Sequence, residues 1–450
     1  MKKVYYKLVL KQTSPLRIGN GTNEQSDSDL MLDGRGLPFI PGTSLAGIIR
    51  HMAEDGKRNE ESILNHLFGT INISTVDTKN ESNSDSISSA IIVGDAVLPK
   101  GISSNDNMIN RRDGIGLDDW GITIRGAKYD FQIAEVEENY VSIIEWNGDD
   151  DSYKSEIEDI IEPILSGMVA DGLSIGARTS RGYGSFDVQV IKKVFVFPKD
   201  LNEWLDFNPY ESDFTSGETV EGTYGETEND LEILFDMRSN FSVRVNTART
   251  ELEFDGSLPD SVPMENYKGN PVIPGTVWAG VFRHHMHDLI RDAGFDSSSE
   301  IITQIDELFG MLKGKNEHRK SSIRFSESEI DIADKKIQKM SVVRTAIDRF
   351  TSSPRNTALF TDMIYSGGTG TLHISYKKNT LSKEFLELLA ACLCDMHLGL
   401  ISVGGASSVG RGIMRINNLS FNGKDITDKL IASIENGESL DWIKEENDNA

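Results

Sequence analysis

The sequence predicts an α+β protein made of two tandem ferredoxin-like units. Three observations carry that expectation. The chain repeats its own motifs at a nearly constant offset. Each half orders its elements as strand, helix, two or more strands, helix and strand. A polar break falls close to the middle of the 450 residues. The repeat is the strongest of these. LPFIPGTSLAGIIRH (37–51) matches NPVIPGTVWAGVFRH (270–284) at an offset of 233, HLFG (66–69) answers ELFG (307–310), and SAIIVGDA (89–96) answers SSIRFSES (321–328). IGARTSRGYG (175–184) then answers VGGASSVGRG (403–412) at an offset of 228, so the motifs recur in the same order and the chain reads as a duplication.

Within each half an opening strand (Val4 to Leu10; Leu231 to Met237) leads to the I-P-G segment, where Pro and Gly end the extended chain and Thr43 or Thr276 can cap a helix. That helix is amphipathic: Leu45, Ile48, Ile49 and Met52 share one face, as do Trp278, Val281 and Phe282, which assigns Trp278 and Phe282 to the core. Strand-like runs follow at Ile91 to Val93, Lys128 to Ala134 and Val141 to Trp146, and at Ser322 to Phe325, Ala358 to Ile364 and Gly370 to Tyr376. A second helix is expected over about Glu156 to Met168 and over Lys383 to Met396, although Pro163 would kink or restart the first of them. A Gly-rich turn and a last strand close each half.

The expected boundaries are 1–200 for the first domain, 201–230 for an acidic linker, 231–420 for the second domain and 421–450 for an acidic tail that holds at most one short helix, around Ile426 to Ile434. The linker holds nine acids and no Lys or Arg, the pattern of a solvated segment. Residues 71–88 read as a polar insertion. A formal net charge of −25 excludes gripping nucleic acid through bulk charge, though a local basic stripe remains compatible with it. No apolar run is long enough for a membrane span, and the N-terminus has no cleavage signal, so a cytoplasmic location without membrane contact is expected. Cys392 and Cys394, two apart on a helix, cannot form an ordinary disulfide. His284 and His287 stand at i, i+3 but lack a third nearby His or Cys, so ordinary helix-surface side chains are favoured over zinc.

The order D-x(13)-P-G-T, LFG, S-x-I-x-x-x-[DE] and Gly-rich turn resembles the RAMP superfamily of CRISPR systems. It is most similar to the backbone subunits of type III effectors, here as two fused copies, an arrangement that resembles subtype D assemblies. The segment 342–376 resembles that family's central segment, and 107–146 is a more divergent counterpart. The resemblance implies two RNA-recognition-motif-like domains with inserted thumb hairpins, partners that include guide RNA, target RNA and other CRISPR effector subunits, and metal-dependent cleavage of the target.

By the same resemblance the catalytic and metal-holding residues are Asp27 and Asp260, each 14 residues before its I-P-G proline, with Mg²⁺ or another divalent cation as cofactor. Asp29 and Asp33 lie in the same loop, and a solvated loop acid is the ordinary alternative for each. Glycines in the closing turns can let the backbone approach phosphate, which nominates Gly176, Gly182 and Gly184 with Arg178 and Arg181, and Gly404, Gly410 and Gly412 with Arg411; a turn needed only for packing is the alternative. The second turn has Ala406 and Val409 where the first has Arg178 and Arg181. Arg111, Arg112 and Arg125, and Arg344, Arg349 and Arg355, fall in the expected thumbs, while Arg50 and Arg283 stand at equivalent points on the first helix of each half as RNA-phosphate candidates. Three other readings stay open: a non-catalytic guide-binding scaffold, a metal-independent guide-processing ribonuclease, and an acidic scaffold that binds only proteins.

Overall fold

The computed structural model describes all residues except 20–28, 56–60, 71–86, 103–107, 119–122, 212–213, 215, 224–227, 246–258, 296–299, 311, 314–316, 319, 334–337 and 450. Asp27 and nearly all of the polar insertion therefore lie outside the described residues.

Each half builds one antiparallel sheet around its opening strand. In the first, Lys2–Gln12 lies between Tyr140–Trp146 and Ser185–Val196, and Ile91–Val93 extends the Tyr140 side. In the second, Glu228–Met237 lies between Thr369–Lys377 and Met414–Phe421, and Ile323–Phe325 extends the Thr369 side. Both give the strand order of a ferredoxin-like fold, in which two helices cover one face of the sheet. Alternation sets that face. Along Glu228–Met237, Leu231, Ile233, Phe235 and Met237 point into the core, and Glu232 and Leu234 point out.

The first helices run over Gly42–Asp55 and Gly275–Asp292, two residues earlier than a Thr cap would require. The Asp95 carboxylate, from the neighbouring strand end, accepts from the Gly42 N–H at 2.7 Å and so takes the capping role expected of Thr43. Trp278 and Phe282 are fully buried, and the Trp278 indole N–H donates to Ser328 Oγ at 3.0 Å. Pro163 causes no break. A π-helical stretch, Lys154–Ile161, passes through helical backbone at Ile161 and Glu162 into an α-helix over Glu162–Asp171, so the chain restarts in α form at the proline, as expected, without a gap.

A two-stranded hairpin is inserted in each half between the second and third sheet strands: Ile109–Leu117 with Thr123–Ala134, and Lys339–Ile347 with Pro354–Ser366. These are the expected thumbs.

Two expectations need correction. The described part of 201–219 is not a solvated linker. A short helix, Leu201–Leu205, and the chain after it fold back on the outer face of the first sheet, where Trp204, Phe207 and Phe214 pack with Tyr5, Ile143 and Phe195. The three aromatic residues among the acids were the overlooked signal, because each buries far more apolar surface than a solvated segment would retain. Nor is the C-terminal segment a tail with one short helix. Helices Thr427–Asn436 and Trp442–Asn449 pack on Lys383–Leu398, burying Leu430, Trp442 and Ile443 in the second core. That cover explains why Cys392 and Cys394 are both buried although they sit on different sides of their helix, and burial raises both thiols, Cys394 to about 11.

Replacing Trp442 with Ala is expected to lower the stability of the second half by about 3 kcal/mol, as for other large-to-small core changes. Thermal unfolding of the full chain reads this out, and an unchanged midpoint would mean the C-terminal helices contribute nothing to the core.

Candidate nucleic-acid interface

The two outer sheet faces do not form an RNA platform. On the second sheet the outward residues of the central strand are Asp230, Glu232, Leu234 and Asp236, and Glu327, Glu329, Asp331 and His373 line a shallow depression beside them. A face with that charge repels phosphate, and the one ring named on it, the His373 imidazole, is paired with Asp230. On the first sheet the same face is covered by the segment around Trp204 and Phe214. The hairpins and the Gly-rich turns remain.

At the base of the first hairpin, cations lie on aromatic rings. The Arg178 guanidinium sits 4.7 Å from the ring centres of both Tyr129 and Phe131, and Arg17 sits 4.3 Å from Phe131. Arg178 reaches that position because its backbone is left-handed, φ 63°, and Gly176 presses the turn against the Arg17 carbonyl, where a Cβ would come within 2.4 Å. Burial and the neighbouring Arg178 hold Arg17 below the usual arginine range. Arg17 was not legible as a site residue, since only the fold brings residue 17 beside residues 131 and 178.

The second hairpin has a different surface. Phe350 is 93% exposed at its tip, Arg349 and Arg355 are exposed around it, and Val343, Leu359 and Phe360 leave apolar surface along its strands. An exposed aromatic among arginines suits stacking on an unpaired base. Phe350 also escaped the sequence reading; its signal was an aromatic residue in a turn rich in Ser and Pro.

Other nominated residues are committed within the protein. Arg112 is buried and pairs with Glu135 at 3.2 Å and with Glu327 of the second half at 3.0 Å. Burial alone would favour its neutral form, but Glu327 and Glu135 hold it protonated, above the usual arginine range. Arg411 is buried against Asp362 at 3.2 Å, and Arg344 pairs with the same carboxylate. Arg112 and Arg411 are therefore not RNA contacts, because a buried ion pair has no face left for phosphate. Arg181 donates to the Phe309 carbonyl at 2.5 Å, and burial beside Arg283 lowers it to about 10. Arg111 pairs with Asp130, Arg50 with Glu54 at 3.0 Å, and Arg283 lies 3.7 Å from Asp306. Arg125 is exposed on the outer part of the first hairpin.

The glycine turns also need correction. The N–H groups of Gly184 and Gly412 donate to Pro15 and Asn240 carbonyls at 2.8 Å, and that of Gly410 to Ser407 at 2.9 Å, so these groups are not presented to phosphate. Gly182 is buried against the second half, and Gly404 presses on the Ser242 carbonyl as Gly176 does on that of Arg17. Packing accounts for all of these glycines but Gly410, whose Cβ position is open and whose left-handed φ of 79° is what glycine serves.

Asp260 is exposed beside the second hairpin. Its N–H donates to the Thr361 carbonyl at 2.8 Å, and its Oδ2 accepts from the Thr361 N–H at 2.7 Å, so the carboxylate is fixed to the hairpin strand. Next to it Ser261 donates to Asp362 at 2.9 Å, which ties this loop to the Arg344–Asp362–Arg411 group. Among the described residues no three acid, His or Cys side chains gather as a metal cage. A single fixed carboxylate suits Mg²⁺ only in the mode where RNA phosphate and water supply the other ligands. His285 pairs with Asp395 at 2.7 Å and His287 lies 3.1 Å from Asp306, so the His cluster is spent in separate pairs.

The sequence matches the RAMP superfamily over residues 9–187 and again over residues 242–415. No curated protein is similar enough to the chain to match it. Among the described residues no helix is long and apolar enough to cross a membrane.

The charge of the second outer face can be titrated. His373 Nδ1 lies 2.9 Å from Asp230, and that hydrogen bond raises its pKa above the ordinary ~6.5. A raised pKa means the pairing contributes fully below the ordinary value and is lost as pH rises through the folded one. NMR titration is expected to show the raised midpoint and its return toward the ordinary value in Asp230→Asn; a midpoint unmoved by that change would contradict the pairing.

Proposed function

Because this chain belongs to the RAMP superfamily, we propose that it is a two-unit backbone subunit of a type III CRISPR effector, in the fused arrangement of subtype D, that holds guide RNA and cleaves the paired target RNA beside each thumb. Superfamily membership implies a CRISPR-associated, RNA-binding function. The finer reading is supported above all by Asp260, an exposed carboxylate fixed midway along a strand of the hairpin whose tip carries Phe350, Arg349 and Arg355. Asp27 holds the matching place in the sequence of the first half, 14 residues before its proline.

In this reading the hairpin tips stack on and displace bases, while the cations on Tyr129 and Phe131 contact the RNA backbone. Cleavage is in-line attack of a 2′-oxygen on the adjacent phosphorus. The 2′-hydroxyl loses its proton, the 5′-oxygen departs and gains one, and a 2′,3′-cyclic phosphate remains. The fixed carboxylate orients the reacting group or accepts the proton, and only RNA qualifies because DNA lacks the hydroxyl. A divalent cation held by Asp27 or Asp260 with the phosphate would supply charge neutralisation.

One observation favours a second reading, the non-catalytic scaffold: Asp260 Oδ2 already accepts the Thr361 N–H, a structural role that needs no chemistry.

The test uses the reconstituted complex, an end-labelled complementary RNA and Mg²⁺, comparing wild type with Asp27→Ala, Asp260→Ala and both. Each single variant is expected to lose one distinct cut by about a hundredfold or more while still binding target. Two cuts that survive the double variant would assign this chain to the scaffold reading.

A further inference from the structure

Asp260 and Ser261 run parallel to the hairpin strand Pro354–Ser366. The Asp260 N–H donates to the Thr361 carbonyl at 2.8 Å, the Met363 N–H donates to the Ser261 carbonyl at 2.9 Å, and Ser261 lies opposite Asp362. One buried side chain gathers what surrounds this contact. Asp362 Oδ1 accepts from the Ser261 hydroxyl at 2.9 Å, and its Oδ2 accepts from Arg411 of the closing turn at 3.2 Å and from Arg344 of the other hairpin strand. A single carboxylate therefore joins the loop, both strands of the hairpin and the turn that closes the domain.

Two guanidinium groups hold that carboxylate through Oδ2 and offset the cost of burying it, which leaves Oδ1 aimed at Ser261. A hydroxyl donating to a carboxylate makes a charge-assisted, directional bond, so it fixes Ser261 and with it Asp260, one residue before. The bond from the Thr361 N–H to the Asp260 carboxylate is exposed to solvent, and exposed bonds open at low cost. The buried tie one residue away is the firmer of the two.

The first half closes the same place without charge. Its closing turn presses on the Arg17 carbonyl at Gly176 as the second presses on the Ser242 carbonyl at Gly404, and the residues just before these, Leu16 and Phe241, pair with Ala134 and Tyr365. Ala134 thus matches Tyr365, Phe131 matches Asp362, and by the repeat Tyr183 matches Arg411. Phe131 and Tyr183 meet edge to face with ring centres 6.0 Å apart. An apolar pair is enough to close this place in the fold, and what the ion cluster adds in the second half is a polar tie to the Asp260 loop.

We propose that Asp362 is the positioning residue of the second cleavage site: through Ser261 it holds the Asp260 carboxylate in the place from which it acts on the paired target RNA. The inference rests on the cleavage reading above and goes beyond it by making one cut, and not the other, depend on a buried ion cluster.

The test uses the reconstituted complex and end-labelled target, with Ser261→Ala and Asp362→Ala set beside Asp260→Ala. Each cut is followed in single turnover over a range of target concentrations. Both variants are expected to slow the Asp260 cut at saturating target by about tenfold or more, because a small displacement of a reacting group costs that much, with target affinity and the Asp27 cut unchanged. A role in folding alone would weaken binding or slow both cuts. Ser261→Ala leaves the ion pairs of Asp362 in place and decides the matter if Asp362→Ala fails to fold. An Asp260 cut at the wild-type rate in Ser261→Ala, a loss that more target restores, or an equal loss of both cuts would overturn the proposal. If Asp260→Ala abolishes its cut while Ser261→Ala does not slow it, the cleavage reading stands and this inference falls; if Asp260→Ala abolishes no cut, both fall.

Discussion

Glycine at 182 and at 275 lets the backbones of the two halves meet directly, and beside that contact Arg112 of the first half is neutralised by Glu327 of the second. A side chain at either glycine would push the halves apart. The carboxylate of Glu327 then leaves Arg112, otherwise buried, with Glu135 as its remaining acid partner. Close packing fixes the distance and the ion pair fixes the direction, since a buried charge without a partner is costly. The two hairpins and the acid beside the second of them project from a frame held at this junction.

The duplication is asymmetric in ways that suit a unit with two different ends. The first turn is spent on the second half, while the second turn is bare. The first sheet's outer face is covered by aromatic residues from the connecting segment, while the second sheet's outer face is open and acidic. The cationic and aromatic residues cluster instead at the hairpins. A net charge of −25 therefore coexists with RNA binding because acid and base are sorted onto different surfaces.

Much of the fold was legible because it rests on local periodicity. Ile91–Val93 was read with its observed bounds, and the strand read over Leu231 to Met237 lies within Glu228–Met237. The repeat supplied the topology. What failed were positions decided by tertiary contact. Arg112 and Arg411 carry the residue type of an RNA contact, and only their packing against Glu327 and Asp362 reveals ion pairs. The glycines of the turns satisfy the pattern of a phosphate cradle, but the Gly184 and Gly412 amides donate to neighbouring loops and those of Gly182 and Gly410 close their own turns. Arg17 and Phe350 were missed for the opposite reason: one is brought to its partners by the fold alone, and the other stands out only once its exposure is known.

The most direct test of a rigid junction is a double-mutant cycle between Arg112→Met and Glu327→Gln, read from denaturant unfolding of the full chain. A junction that couples the halves predicts an interaction energy of about 1.5 kcal/mol or more between these residues, 215 positions apart in sequence. Additive effects, within roughly 0.3 kcal/mol, would mean that the halves do not hold one another and that each places its hairpin independently.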